Sequence, residues 1–335
     1  MEKPWASHEP AFLLGFGLSS ESVAYRCTEG LVVAEDTKQV SAAADAWTVM
    51  RLLNWTTDFF RKRGSESPRL DAEILLAHAR GCARIELYTA FDTEPSEEQR
   101  EAFREMVRRR GDGAPVAYLV GYREFYSLRI RVNESVLIPR PETEHLVIET
   151  LDQAKAMLAE DAHRQLAIVD VGTGSGAIAV AIAKHLPAVN LIAVDISNDA
   201  LEIAKWNAQQ HAVAERITFQ QSDLLASIPK DRSIDIIVSN PPYVSDAEYE
   251  QLAPTVRDHE PKLALVAGPS GTELIERLLV EAADRLRSGG QLIIELSPMI
   301  ADQCADLVKQ TGHYGEPKFI KDLAGFRRVM SVRRT

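Results

Sequence analysis

From Leu166 onward the chain alternates short β-branched apolar runs with helical patterns, and that alternation leaves few folds open. Strands are predicted at 166–171, 190–195, 216–221, 234–239 and 290–296, separated by helical patterns at 176–186, 199–210 and 271–288. Strands and helices in such alternation build a parallel sheet covered on both faces. Two further apolar segments, Pro317 to Ile320 and Phe326 to Val332, are expected to close the sheet as an antiparallel edge. The expected fold class is α/β, with no internal repeat or low-complexity tract.

Within that frame the run Ile236-Ile237-Val238-Ser239 leads directly into Asn240-Pro241-Pro242-Tyr243. Consecutive prolines cannot continue a sheet ladder, because neither has an N–H, so the strand must end at Asn240. What remains is a loop of fixed φ angles and outward carbonyls. The side-chain carbonyl of Asn240 and the backbone carbonyl of Pro241 can both accept from one NH2 group, while Tyr243 can lie against a flat partner. Holding a weak nitrogen nucleophile in this way supplies orientation and electrostatic help. The plain alternative is a turn, since Asn-Pro is a common turn dipeptide.

Asp170-Val171-Gly172-Thr173-Gly174-Ser175-Gly176-Ala177 closes the first strand and opens a helix. Glycines there let a ligand approach bare backbone at a helix N-terminus, the site of nucleotide-like ligands. The spacing also fits a degenerate dinucleotide pattern, so the glycines alone do not separate a nicotinamide cofactor from S-adenosylmethionine. Asp195, at the end of the second strand, is placed to hold ribose hydroxyls in either case. Asp223, after the third strand, is a candidate acceptor for an adenine amino group with Leu224 as ring cover; its plain reading is a turn cap. Asn240 to Tyr243 discriminates. Hydride transfer wants a proton donor at that position, whereas methyl transfer wants an oriented nitrogen.

The part before the sheet is organised differently. Residues 1–45 show no sustained period and are expected to be a poorly ordered extension; a translation start assigned too far upstream is one explanation. Residues 46–120 read as a small helical domain. Leu52, Leu53, Phe59 and Phe60 share helical spacing; Ser67-Pro68 gives an N-cap and first-turn proline for a helix ending by Gly81; 85–91 suggests a short third helix. Ser96 with Gln99 forms a capping box for a fourth helix, running into Arg108-Arg109-Arg110. That basic end is either a solvated helix terminus or a contact for a partner. Residues 121–141 are expected to form a β-hairpin and linker, with Phe125, Ser127 and Arg129 on one face against Tyr126, Leu128 and Ile130, and a turn at Asn133. Residues 142–335 then make the larger domain.

Composition narrows the function classes. A net charge of -11 argues against a general nucleic-acid binder, whose footprint is basic. Three scattered cysteines, Cys27, Cys82 and Cys304, without metal spacing, fit a reducing cytoplasm and give no reason to expect a metal. No apolar run has the length of a membrane span.

The glycine loop, the acidic residue and Asn-Pro-Pro-Tyr, in that order on successive strands, resemble the class I (Rossmann-like) S-adenosylmethionine-dependent methyltransferases that act on planar amino or amide nitrogen. Four tracts bring the resemblance closer: Arg69 to Glu73, Gly121 to Tyr126, Ile138-Pro139-Arg140-Pro141-Glu142-Thr143-Glu144, and Asn240 to Tyr243. Over roughly residues 47–332 the chain is similar to the HemK/PrmC-type glutamine methyltransferases. That family methylates the side-chain amide of the glutamine in the Gly-Gly-Gln motif of peptide chain release factors. The resemblance implies that Gly172 to Gly176, with Asp170, line the methionine and ribose part of the cofactor. Asp195 would take its ribose, and Asn240, Pro241, Pro242 and Tyr243 the glutamine amide. Family members often carry an aromatic residue where this chain has Leu224, so ring stacking gives way to apolar cover. Phe125 and Glu144 fall in matching tracts with no assigned role, and Arg257 to Pro261 is expected to shape the entry. The expected partner is a release factor acting on a monomer, without nucleic acid or membrane. Rival readings are a ribosomal-protein glutamine methyltransferase, an adenine-N6 nucleic-acid methyltransferase, and a non-catalytic S-adenosylmethionine-binding module.

Overall fold

Apolar residues at helical spacing explain the first elements of the structure, a computed structural model describing residues 46–335 apart from 162, 163, 188 and 232. The expected extension at 1–45 lies outside the described residues. Helix α1 (Val49–Lys62) starts where the Thr48 hydroxyl accepts from the Arg51 amide at 3.3 Å, and buries Leu52, Leu53 and Phe60. Helix α2 (Pro68–Arg80) carries proline in its first turn and ends on Gly81 at φ 64°. The expected Ser67 side-chain cap is not made. Ser65 Oγ instead donates to Asp71 Oδ2 at 2.8 Å, and the same oxygen accepts from Arg110 Nε at 2.9 Å. Arg110 is thus drawn into helix packing, and Arg108 pairs with Glu105 and Asp112. The expected third helix is only a 3-10 turn, Arg84–Leu87. Helix α3 (Glu97–Gly111) has both bonds of the Ser96/Gln99 capping box, and a short α4 (Val116–Val120) follows.

Strands β1 (Tyr122–Phe125) and β2 (Leu128–Arg131) form the hairpin, pairing Tyr122 with Arg131 and Phe125 with Leu128. Its reversal falls at Tyr126-Ser127, with φ 49° and 59°, and not at Asn133. Two successive positive φ values are the signature of a two-residue type I′ turn. Such a turn resets the strand parity, so Phe125, Leu128 and Ile130 share one face instead of opposing one another. Phe125 and Ile130 are buried there. Glu144 explains how a tyrosine tolerates the turn: its Oε1 accepts from the Tyr126 amide at 2.9 Å. Phe125 and Glu144 thus have structural duties. Helix α5 (Glu144–Glu160) then leads to the sheet.

Strands β3 (Leu166–Val171), β4 (Val189–Asp195), β5 (Ile217–Gln221), β6 (Ile234–Ser239) and β9 (Leu286–Glu295) are parallel, and β11 (Arg327–Arg333) and β10 (Lys318–Lys321) add the antiparallel edge. Across the sheet the order is β10-β11-β9-β6-β3-β4-β5. Helices α6 (Ala177–His185) and α7 (Asn198–Gln210) follow β3 and β4. The predicted helix at 271–288 ends early, as α10 (Glu273–Ala283), because β9 begins at Leu286 and bulges against β6. Helix α11 (Ala301–Thr311) was not expected. Its signal is present in Ser297-Pro298, which starts the turn, and in Ala301, Cys304 and Val308, which bury one stripe. Between β6 and α10 lie α8 (Asp246–Tyr249), α9 (Pro254–Arg257) and a two-stranded parallel ribbon of β7 (Val244–Ser245) with β8 (Val266–Gly268). Separate apolar cores cover the two faces of the sheet, and residues Trp47–Thr335 form one compact unit. Among the described residues, no helix is long and apolar enough to cross a membrane.

Candidate active site

The chain leaves β3 toward β4 and β5 on one side and returns to β6 on the other, so a crevice opens beyond the C-terminal ends of β3 and β6. These ends are in register, Val171 opposite Ser239, and Ser239 Oγ donates to the Val171 carbonyl at 2.8 Å. The glycine loop and Asn240 therefore leave the sheet side by side from a bolted base.

Gly172, Gly174 and Gly176 all have positive φ, 70°, 54° and 78°. Beyond that they differ. A Cβ at Gly172 or Gly174 would meet nothing within 4 Å, and both face a cavity of about 400 Å³ also lined by Thr173, Ser175 and Asp195. Gly176 does not line it: a Cβ there would stand 2.9 Å from Ala204 Cβ and 3.0 Å from its Cα. Its spareness seats α6 on α7. The loop is shaped from beneath by the Gly172 and Thr173 amides, which donate to the Val194 carbonyl at 2.9 and 3.0 Å.

Asp195 Oδ2 accepts from the Gly174 amide at 2.8 Å and Oδ1 from the Ser197 amide at 2.9 Å, which fixes the carboxylate at the cavity wall. Burial raises its pKa against the pull of those amides. Asp170 lies below the loop, wholly buried, with Oδ2 accepting from Thr173 Oγ1 at 2.7 Å and Oδ1 unpartnered. Burial pushes its pKa up to about 7, opposed by the Thr173 hydroxyl. On the far wall Asp223 Oδ2 accepts from Arg277 Nη2 at 2.9 Å, and Leu224, held at φ 46°, lines the cavity as apolar cover.

β6 ends at Ser239, as the prolines require, and Asn240 and Pro242 line the cavity while Pro241 is buried. Asn240 Nδ2 donates to Thr143 Oγ1 at 3.3 Å, and its Oδ1 takes no hydrogen bond from the described residues. The loop is fixed after Tyr243 by the Val244 amide donating to the Leu265 carbonyl at 2.9 Å, within the β7–β8 ribbon. Behind it Gly271, at φ 80°, leaves only 2.7 Å between a would-be Cβ and the Tyr243 carbonyl oxygen. Tyr243 packs on the sheet core, where burial and the nearby Glu295 raise its phenol pKa.

Several residues at the site were given no individual role by sequence reasoning. Glu260 is a buried carboxylate that accepts from the Ile138 amide at 3.1 Å and from the Arg140 guanidinium. It clamps the proline-bracketed segment to the tract 257–261, and the cavity rim carries Arg140 and Thr143 from the first stretch and Pro261 from the second, with Leu263 just beyond it. Glu295, the last residue of β9, is buried against Thr143, with Oε2 unpartnered. Its signal was legible: an acidic residue closing an apolar strand, the mark that singled out Asp195.

Comparisons with known proteins agree with this geometry. The model of the PrmC N-terminal domain matches residues 51–121, and that of the methyltransferase small domain residues 147–256. A release factor glutamine methyltransferase from Rhodopirellula baltica is 63% identical over 288 residues, 86% of this chain and 97% of the relative. One of the same name from Chlorobaculum tepidum is 44% identical, covering 75% of this chain and 85% of the relative. Another, from Koribacter versatilis, is 38% identical over 80% and 92%. With its helical front, its glycine loop and its Asn-Pro-Pro-Tyr crevice, the chain belongs to the release factor glutamine methyltransferase family.

Proposed function

We propose that this chain transfers a methyl group from S-adenosylmethionine to the side-chain amide nitrogen of the glutamine in the Gly-Gly-Gln motif of peptide chain release factors. The observation that carries the reading is Asn240 at the cavity wall, its Nδ2 engaged by Thr143 and its Oδ1 left over beside the glycine loop. Asn240 Oδ1 and the Pro241 carbonyl take the two N–H groups of the glutamine amide, which fixes its rotamer and offsets the delocalisation that makes an amide nitrogen a poor nucleophile. Bound S-adenosylmethionine would supply a methyl on a sulfonium: its carbon–sulfur bond would break as the carbon–nitrogen bond forms, leaving neutral S-adenosylhomocysteine, while the amide nitrogen gives up one of its two protons to solvent.

The residues present fit that group. Open space over Gly172 and Gly174 admits a ligand to bare backbone, and the N-terminus of α6 suits a carboxylate. Asp195 serves the ribose, Asp223 and Leu224 the adenine, and Asp170 with Thr173 holds the loop from below. Gly176 contributes by seating α6. Pro242 and Tyr243 bracket the amide site. Residues 46–120, as a helical domain joined through 121–141 to the catalytic domain 142–335, present the release factor; the chain acts as a cytoplasmic monomer without nucleic acid.

The test is methyl transfer from labelled S-adenosylmethionine to purified release factor, beside a version whose Gly-Gly-Gln glutamine is alanine, a ribosomal-protein fraction and duplex DNA. Label on the intact release factor alone is the expected result. Label on DNA or on ribosomal protein instead overturns the reading.

A further inference from the structure

Asn240 can serve the reaction in only one of its two amide orientations. With Oδ1 toward the cavity it accepts from an incoming NH2 group; turned over, it offers a second NH2 and repels it. The two orientations have the same shape, so packing cannot choose between them. Only the hydrogen bond at the other end of the carboxamide can, and that partner is the Thr143 hydroxyl at 3.3 Å. A hydroxyl also both donates and accepts, so Thr143 alone does not decide either.

The deciding group lies one step further back. Thr143 is itself buried, and beside it lies Glu295, almost fully enclosed at the C-terminal end of β9 with its Oε2 unpartnered. An ionised carboxylate only accepts. A carboxylate that takes the Thr143 hydrogen leaves Oγ1 a pure acceptor and calls the Asn240 NH2 to that side. We propose that Glu295 and Thr143 are positioning residues for the methyl transfer: a relay Glu295–Thr143–Asn240 that sets the direction of the Asn240 carboxamide and so turns its Oδ1 to the substrate amide. Register supports the placement, since Ser239 pairs with Ile294 and Asn240 and Glu295 are the next residues of adjacent strands. The charged groups around Glu295 are Glu142 before α5 and Arg140 on the same segment, with Arg328 on β11. Burial and Glu142 disfavour its ionised form and lift its pKa to about 7, the two arginines oppose them, and the carboxylate is the main form only above neutral pH.

The inference rests on the methyltransferase reading above, and its test separates the two. At pH 8, where Glu295 is ionised, Thr143→Val lowers kcat roughly 10- to 100-fold, the cost of a misplaced reacting group. Affinity for S-adenosylhomocysteine by calorimetry stays within about twofold, and Thr143→Ser recovers most of the lost rate. Glu295→Leu, which removes a buried charge and so does not depend on marginal folding, gives the same loss. Independently of any reaction, the side-chain NH2 resonances of Asn240, assigned from the spectrum of Asn240→Ala, are one slowly exchanging pair in the cofactor-free protein. They become fast-exchanging or doubled in both variants. Unchanged Asn240 resonances, or a kcat in Thr143→Val equal to that of the parent, overturn the relay. If the parent protein methylates no release factor, the functional reading fails, and the resonances still decide the relay.

Discussion

The three glycines of the loop after β3 are alike in backbone angle and unlike in surroundings, which gives a sharp test of what the loop is for. Gly176→Ala places a methyl 2.9 Å from Ala204 Cβ and 3.0 Å from Ala204 Cα, at φ 78°. A Cα cannot rotate away, so α6 and α7 must part. The left-handed conformation costs roughly 1–2 kcal/mol and the overpacking roughly 1–3 kcal/mol, together about 2–5 kcal/mol. At roughly 2–4 °C per kcal/mol for a large domain, Tm falls by roughly 4–20 °C. Gly174→Ala has the conformational cost alone, because its methyl meets nothing within 4 Å. That methyl occupies the cavity, so affinity for S-adenosylmethionine falls at least about tenfold, a loss of about 1.4 kcal/mol. Thermal melts of the ligand-free proteins and calorimetric titration with S-adenosylmethionine read the two effects separately. A Gly174→Ala protein that melts as low as Gly176→Ala, or that binds as tightly as the parent, refutes the division of labour drawn here.

Other outcomes follow from the same geometry. Asn240→Ala abolishes methyl transfer while cofactor affinity by calorimetry stays within a few-fold, roughly 1 kcal/mol; an equal loss of both would move Asn240 to the cofactor's side. Gly271→Ala pushes on the Tyr243 carbonyl from 2.7 Å and lowers kcat more than cofactor affinity, and the reverse pattern in steady-state kinetics and titration would exclude that route. Burial lifts the carboxyls of Asp170 and Glu295 to about 7, so each holds a proton in the fold at pH values where the unfolded chain, near pH 4, has lost it. Stability is therefore greatest below about pH 4 as far as these two groups go, declines as pH rises toward about 7, and levels above. Asp170→Asn removes its share of that slope, on the order of 3 kcal/mol. Urea unfolding of both proteins at pH 5 and pH 8 checks it, with parallel pH dependences as the refuting result.

The sequence made the sheet legible because its strands are buried on both faces. A run such as Ile234 to Ser239, enclosed throughout, leaves a continuous apolar signature that loops cannot imitate. Asn240 and the glycine loop were legible because backbone chemistry, proline without an N–H and glycine at positive φ, is written directly in residue identity. The hairpin shows the limit. Its turn at Tyr126-Ser127 uses no residue that favours positive φ, and it is held by Glu144, 18 residues away. Helix α10 was read too long because its apolar pattern passes without a break into β9, where β6 takes over Leu286. Thr143 and Glu260 fall in tracts that were singled out without a role for either residue, and Glu295 was missed, for one reason: each acts through a partner distant in sequence, and a buried carboxylate acquires meaning only from what it faces.

Those distant bonds are also what makes the crevice a site. Ser239 Oγ ties β6 to β3 below Asn240, the β7–β8 ribbon takes the Val244 amide beyond Tyr243, and Gly271 fits under the turn. From the side, Glu260 holds Ile138 and Arg140 beside the rim, and Thr143 stands two residues after Pro141 of that segment. Each contact satisfies a polar group or excludes a rearrangement, so the loop reaches the cavity with little freedom left to lose on binding. The Asn240 Oδ1 has no partner among the described residues although its own Nδ2 is engaged. Lining the cavity and free of any partner among those residues, that acceptor is available to a donor arriving from outside. A carboxamide NH2 is a donor of the right size and charge, and the same acceptor that recognises it also sharpens its nitrogen for transfer.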